Sequence, residues 1–349
     1  MYFTHIRMSR IPHSPPAISP LPCVAERPMF SVMIPAYNCA EFLEETISSV
    51  LVQDLGEELM QVEVVDDCST DADVEALVQR VGQGRVGYFR QPQNVGSLRN
   101  FETCINRATG IYVHLLHGDD KIRPGFYQKM KSLFENFPSA GAAFCRYSFI
   151  DANGELIKER ILEAQQDGIL QNWLLRIAER QAIQFAAMVV KREVYERLGS
   201  FYGMTYGEDW EMWVRIARYY PVAYTPELLA DYRTHDHSLT WFDIVNGNIS
   251  NHIERTISAI QAHLPEKNRK AILNSTKRYY ARTHIVFAQQ MWIKKRSKEQ
   301  AEKHLHAALS LHKSMRIFYH VLKLRCIMQV QNMQAEIWRP PLKNTELKP

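Results

Sequence analysis

Nowhere does this chain offer the roughly 20 consecutive apolar residues that a membrane-spanning helix needs. Its uninterrupted apolar runs, such as Phe185 to Val190, fall far short of that. The N-terminus holds only Arg7 and Arg10 and no apolar core segment, and Pro12, Pro15, Pro16, Pro20 and Pro22 crowd the next stretch, which argues against a secretory signal. Residues 1–28 therefore read as a disordered leader. The six cysteines (Cys23, Cys39, Cys68, Cys104, Cys145, Cys326) include no C-x-x-C pair, so neither a disulfide framework nor a zinc knuckle is indicated and a reducing compartment, the cytoplasm, is expected. Acidic residues are scarce in one region. From Asp243 onward there are 19 Lys and Arg against 7 Asp and Glu, a charge of +12, which leaves −8 on the rest of a chain whose net charge is +4. The two parts face different partners.

What is present is ordinary globular composition, 46% hydrophobic and 23% charged, over 349 residues, a length that suggests a core domain with an appendage. The most informative stretch is Gln61 to Asp71, Q-V-E-V-V-D-D-C-S-T-D, an apolar run that stops on paired carboxylates. It reads as a buried parallel strand whose C-terminal loop is acidic, and the C-terminal edge of an open α/β sheet is where ligands bind. A second run, Ile111 to Leu116, ends in His117-Gly118-Asp119-Asp120. Two such edges on neighbouring strands can hold a divalent cation and a hydroxylated ligand.

Around these runs the chain alternates. Phe30 to Pro35 reads as a first strand, with Asn38 and Glu41 as a capping box for a helix carrying Leu43, Ile47, Val50 and Leu51 on one face. A helix starting near Asp71 buries Val74, Leu77, Val78 and Val81, and later helices occur around Leu98 to Ile105 and Phe126 to Phe134. This pattern predicts a Rossmann-like α/β domain over 29–242, mostly parallel with helices on both faces of the sheet, and less regular after Ala140. Residues 243–349 read as a basic helical region with a flexible tail, its helices near 247–264, 268–294, 298–312 and 314–334. Gly82-Gln83-Gly84-Arg85-Val86-Gly87 fits G-x-G-x-x-G but leads into a strand, so it is a turn. His114 and His117, three apart on a strand, point to opposite faces and cannot chelate one metal as a pair.

Five segments in order, Ser31-Val32-Met33-Ile34-Pro35-Ala36-Tyr37-Asn38, V-V-D-D-C-S-T-D at 64–71, Asn94-Val95-Gly96 with Arg99-Asn100, L-H-G-D-D at 116–120 and Gly207-Glu208-Asp209-Trp210, resemble the signature of family 2 glycosyltransferases. The resemblance spans roughly 29–242. It implies a GT-A fold, a nucleotide-sugar donor, a divalent metal (Mn2+ or Mg2+) and inversion at the anomeric carbon. It also implies roles: Asp119 as metal ligand, with Asp120 beside it and His235 of the Y-R-x-H segment reaching the metal, His237 being the fallback; Asp67 as the contact to the base, with Pro35, Tyr37 and Asp66 adjoining; and Arg99 near the phosphates or ribose. Asp209 matches the general base, supported by Glu208. Two positions depart from the pattern, His117 at the first carboxylate of D-x-D and Cys68 where glycine is usual.

The chemistry fits independently. A departing nucleoside diphosphate needs its charge met, which a carboxylate-held metal does. An ionised Asp can take the proton of an attacking hydroxyl, and a carboxylate accepting from a base N–H suits uracil. Each residue also has a plainer reading: Asp66, Asp67 and Asp71 as caps of the next helix, Glu208-Asp209 as a helix N-cap, and His235 as an ordinary core or surface residue. The expected activity is single-residue transfer from a UDP-sugar to a glycan or lipid-linked glycan acceptor, of the hexosyltransferase type and in the polysaccharide biosynthesis of a bacterial-type cell envelope. The alternative is a non-catalytic nucleotide- or carbohydrate-binding module on the same fold. For the basic stretch 313–330, peripheral contact with an anionic bilayer competes with packing on the catalytic domain, and packing is the expectation; no nucleic-acid recognition motif accompanies the charge.

Overall fold

The computed structural model describes residues 9–22, 26–236 and 238–337. β1 (Phe30–Ala36), α1 (Ala40–Leu51), β2 (Met60–Asp66), α2 (Val74–Gly82), β3 (Gly87–Arg90), α3 (Ser97–Arg107) and β4 (Tyr112–Leu115) form the expected alternation. β1 pairs in parallel with β2 and β4, and β2 with β3. All seven residues of β1 are buried, as a central strand covered on both faces requires. The ends of β2 and β4 therefore flank the end of β1, and their acidic loops meet there.

The second half of the sheet is mixed. After β5 (Lys121–Ile122) and α4 (Phe126–Asn136) come β6 (Ala142–Ile150), β7 (Leu156–Glu159), β8 (Gly168–Ile169), α5 (Trp173–Glu179), β9 (Met188–Lys191), α6 (Arg192–Leu198), α7 (Glu208–Tyr219) and β10 (Val222–Arg233). The order is β3-β2-β1-β4-β9-β6-β10-β5, with β9 antiparallel to both β4 and β6 and β10 parallel to β6. The Phe185 to Val190 run is thus β9 and the turn before it, buried at the centre of the sheet.

Several local expectations give way. The capping box does not form: α1 starts after Cys39 with no side-chain cap, and the Asn38 side chain instead accepts from the Thr70 amide at 2.8 Å. α2 is capped by Asp73, which accepts from the Ala76 amide at 3.0 Å, so Asp66, Asp67 and Asp71 are not its cap. The 242/243 boundary falls inside a short helix, α8 (Leu239–Asn246), and after it come α9 (Ile249–Gln261), α10 (Glu266–Lys295), α11 (Lys298–Leu311) and α12 (Met315–Ile337). These helices join the same hydrophobic core as the sheet. Residues 338–349, assigned to a flexible tail, lie outside the described residues.

The leader is the larger correction. Residues 9–22 lie as a strap across the domain: the Ser200 and Gly203 amides donate to the Pro16 and Pro12 carbonyls at 2.8 Å, and buried Arg192 donates to the Ser19 carbonyl at 3.0 Å. Proline removes backbone donors but not acceptors, so a proline-rich segment can dock through its carbonyls. Ile18 enters the core at 2% exposure. Of the expected leader, residues 1–8 and 23–25 are outside the described part. Ile18→Ala should cost about 2–4 kcal/mol in urea unfolding. A loss within the noise of that measurement would mean the strap is not part of the folded unit.

Candidate active site

The site forms where three loops meet at the end of β1. The Asp67 amide donates to the Ala36 carbonyl at 2.8 Å, the Asn38 amide to Ser69 Oγ at 2.9 Å and the Ala40 amide to Asp71 Oδ2 at 2.9 Å, which fastens the first acidic loop to the loop after β1. The second acidic loop joins them when the Gly118 amide donates to the Pro35 carbonyl at 3.2 Å. A Cβ at Gly118 would stand 2.7 Å from Cys39 Sγ, so only glycine allows this approach. Cys39 lies between the acids: burial raises its thiol, and the charges of Asp119, Asp71 and Asp66 raise it further. Cys68, at a glycine position of the motif, has a φ of +63°, the left-handed conformation that glycine adopts without strain.

Asp66 and Asp67 point to different tasks. Asp66 is fully buried, accepts from Tyr88 at 2.9 Å and from the Ser69 amide at 2.9 Å, and pairs with Arg90. Asp67 accepts from the Val95 and Gly96 amides at 2.7 and 2.9 Å and from Asn94 Nδ2 at 2.9 Å. It is 2% exposed, and burial lifts its carboxyl above the usual range despite those bonds and the nearby Arg10 charge. Tyr37, on the adjoining loop, is half exposed. Arg99 spends its guanidinium on the Ser9 carbonyl at 3.0 Å and on Glu102 at 2.6 Å. The strap supplies the other cation here: Arg10 bonds Asn94 Oδ1 and packs against Gly96. No signal in the sequence could have placed Arg10, 84 residues from its partner, at this corner.

His117, Asp119 and Asp120 present ligand atoms within 4.8 Å of one another. His235 Nε2 is 3.2 Å from Asp119 Oδ2, bringing the third predicted ligand to the same point, while His117 is added by the structure. His237 lies outside the described residues. Asp120 accepts from the Arg233 amide at 2.9 Å through Oδ1, while its Oδ2 and His117 Nε2 are buried with no hydrogen-bond partner. Orphaned acceptors beside a carboxylate are what a cation would satisfy, so this donor set fits a divalent metal. Burial drives the Asp120 carboxyl well above its ordinary value, and the Asp119 charge adds to this. Burial would raise Asp119 too, but the His235 bond and the His117 and His235 charges outweigh it and hold that group below the usual range. His117 stacks between Phe101 and Phe185, with ring centroids 5.2 and 4.3 Å away, which fixes its plane. His114 is a core residue, bonded to Tyr127 and to the Ala186 carbonyl at 3.2 and 3.1 Å.

Glu208 and Asp209 open α7, whose N-cap is Gly207 at φ +79°, so neither is the N-cap. Asp209 accepts from the Trp210 amide at 2.6 Å and from Gln181 Nε2. Desolvation pushes its carboxyl up to about 7 and that of Glu208, aided by the Asp209 charge, up to about 8. The two acidic groups share surroundings. Burial and then the charges of Asp120, Asp119 and Tyr206 raise the Tyr232 hydroxyl, while burial and then Asp209 and Glu208 raise that of Tyr206. Phe185, stacked on His117, also meets Trp213 of α7 at 5.6 Å. Gln181 and Tyr206 sit in the irregular region where no pattern announced them.

The chain is similar to proteins of a known family. Residues 31–199 match the model of glycosyl transferase family 2. A glycosyltransferase of Methanocaldococcus jannaschii is 25% identical over 212 residues, 60% of this chain and 71% of its own. The chain spans 66% to 71% of the length of three curated relatives, this one included. Among solved structures, Staphylococcus aureus TarS in complex with UDP-GlcNAc superposes with a TM-score of 0.60 at 14% identity, covering 81% of this chain and 80% of that one. A mannosyltransferase from Pyrobaculum calidifontis in complex with GDP-Man and Mn2+ does so with a TM-score of 0.56 at 20% identity, over 92% and 86%. The fold is therefore GT-A, and residues 31–199, just under half of the chain, are similar to glycosyl transferase family 2.

Proposed function

We propose that this protein is a metal-assisted, inverting glycosyltransferase that moves a single sugar from a nucleotide-sugar donor, UDP-linked by preference, to a hydroxyl of a glycan or lipid-linked glycan. The observation that carries the reading is two acidic groups joined through one aromatic contact: Asp119 with His235 lies beside His117, whose ring stacks on Phe185, and Phe185 meets Trp213 of α7, the helix that Glu208 and Asp209 open. Two structural neighbours named for nucleotide-sugar complexes support the donor class, one of them with Mn2+. Among the described residues no helix is long and apolar enough to cross a membrane, and the described cysteines are free; we assign the enzyme to the cytoplasm.

In this reading His117, Asp119, Asp120 and His235 would hold the cation, which when bound supplies positive charge against the diphosphate. The chain does the rest. Asp67 Oδ1 accepts one bond and keeps a lone pair for a base N–H, with Tyr37 alongside. Asp209 takes the proton of the acceptor hydroxyl as its oxygen attacks the anomeric carbon and the bond to the departing phosphate breaks. Gln181 holds the Asp209 carboxylate in one orientation, burial raises its proton affinity, and the Asp209 charge adds to burial in raising that of Glu208. Displacement on the face opposite the leaving group inverts the centre.

Two outcomes are expected. Transfer or slow donor hydrolysis, measured by nucleoside diphosphate release, should require Mn2+ or Mg2+ and vanish with EDTA. Asp209→Asn should lower kcat by about 10²–10⁴-fold while donor binding by calorimetry stays within about threefold. Donor binding with no turnover across a broad acceptor panel, and no effect of Asp209→Asn, would favour the binding-module alternative.

The pH dependence arises from the raised carboxyls. The base works only when ionised, so kcat should rise with pH on an apparent midpoint between about 7 and 8 that belongs to the Glu208–Asp209 pair, and Glu208→Gln should move that midpoint down. Folded-state proton affinities above the ordinary carboxyl values of 3.8 and 4.5 mean the native protein holds protons the unfolded chain has lost. Stability should therefore be greatest below that range and fall as pH rises toward 8. A flat urea midpoint from pH 5 to 8 in wild type, matching Asp209→Asn/Glu208→Gln, would contradict the shifts.

A further inference from the structure

The C-terminal helices carry a surface that the reaction does not use. On α12, Ile317, Val321, Leu324 and Met328 are buried in the core. The opposite side presents Met315 (85% exposed), Phe318 (50%), Tyr319 (61%) and Leu322, spaced three and four apart, so they form a second apolar stripe one hundred degrees or more from the first. A helix apolar on two sides normally has both covered. Within the core-facing side nothing more is needed; the outer stripe has water on it.

Charge identifies what fits there. Between Lys303 and Ala335 the sequence has no Asp or Glu, and Arg316 and Lys323 flank the stripe. From Lys267 to Lys298 there are ten Lys and Arg and again no acid. The end of α10, which meets the far end of α12 where the Trp292 indole N–H donates to Gln331 at 2.5 Å, has a further exposed apolar residue, Ile293. Lys294 and Lys295 stand over Trp241 of α8, and Lys295 also meets Asp236 at 3.2 Å, next to the His235 that bonds Asp119. The α12 stripe, bordered by Arg316 and Lys323 and with Asp236 paired to Lys295 at the end of α10, complements an anionic lipid surface, into which the apolar face sinks while Lys and Arg meet the phosphates. A second copy of this chain would bring the same positive charge and repel.

We propose that the outer face of α12 and the end of α10 dock this protein on an anionic bilayer, with the Asp119–His235 site at the margin of the docked face. The docking stands on this surface alone; that a lipid then presents the acceptor rests on the reaction proposed above. The test is co-sedimentation of the full chain with vesicles of phosphatidylcholine, with and without one quarter phosphatidylglycerol. Binding should need the anionic lipid, weaken in 0.5 M salt, and fall about tenfold in Phe318→Ser/Leu322→Ser and in Arg316→Glu/Lys323→Glu, while urea midpoints and donor hydrolysis in solution match wild type. No vesicle binding by wild type, equal binding by the variants, or a light-scattering dimer that the serine variant abolishes would each overturn the proposal. Because donor hydrolysis is read separately, failure of the docking and failure of the enzymatic reading are distinguishable.

Discussion

A single buried cation organises this active site. Arg233, 2% exposed, ends β10 and donates to the Asp119 carbonyl at 2.8 Å and to the Asp151 and Ala152 carbonyls at 3.2 and 3.0 Å, pairs with Glu45 of α1, and lies over the Phe42 ring at 4.8 Å. A guanidinium taken out of water is costly unless its donors are met, so the three segments it touches are held to one geometry. Its own amide completes the arrangement by donating to Asp120. Two residues on, His235 arrives at Asp119. The acidic loop after β4 and the histidine after β10 are far apart in sequence, and this side chain is what binds them into one centre.

That clamp lets the protein keep acids where water would otherwise be needed. Asp119, half-buried, and Asp120, buried, are adjacent and pulled in opposite directions, the first held below the usual range chiefly by its bond to His235 and the second pushed toward its neutral form by burial. His117 in place of a carboxylate changes the balance of the site: three carboxylates at this spacing would repel strongly, whereas an imidazole lowers the charge and still offers a lone pair. Its neutral form is also favoured by burial, which lowers its proton affinity between the Phe101 and Phe185 rings. The departure from D-x-D is therefore accommodated by an aromatic slot built for it.

The sequence made legible what depends on short range. Apolar runs ending in carboxylates located β2, β4 and their loops, and helical spacing located α2, α3 and α4, because burial of a strand or a helix face leaves a periodic trace. Side chains acting at long range left none. Arg10 sits in a proline-rich stretch whose composition suggests disorder, yet its carbonyls find donors in the 192–203 region, a fact only the tertiary structure contains. The capping box at Asn38 and Glu41 failed for a similar reason: Asn38 adopts φ +48° and is drawn to Thr70 across the cleft, so a tertiary bond outcompetes the local cap. β9 was visible as an apolar run, but its antiparallel insertion between two parallel segments was not, since direction is set by partners rather than by composition.

The helical region is best understood through α7. Glu211 is wholly buried on that helix, bonded to Arg215 at 3.1 Å and to His263, beyond α9, at 2.7 Å. Thr256 of α9 closes on Gly207, where any Cβ would stand 2.7 Å from its hydroxyl oxygen, and Tyr280 of α10 packs on Trp210 and accepts the Gln181 amide through its hydroxyl at 3.4 Å. Each contact lies within a turn of Glu208 and Asp209. A helix start that carries two carboxyls near neutrality must be dry, and the sheet domain covers only one side of it. α9 and α10 cover the other. The same segment that looked like an appendage in composition is thus the second wall around Glu208 and Asp209, and removing it would open to water the two groups whose proton affinity depends on water being absent.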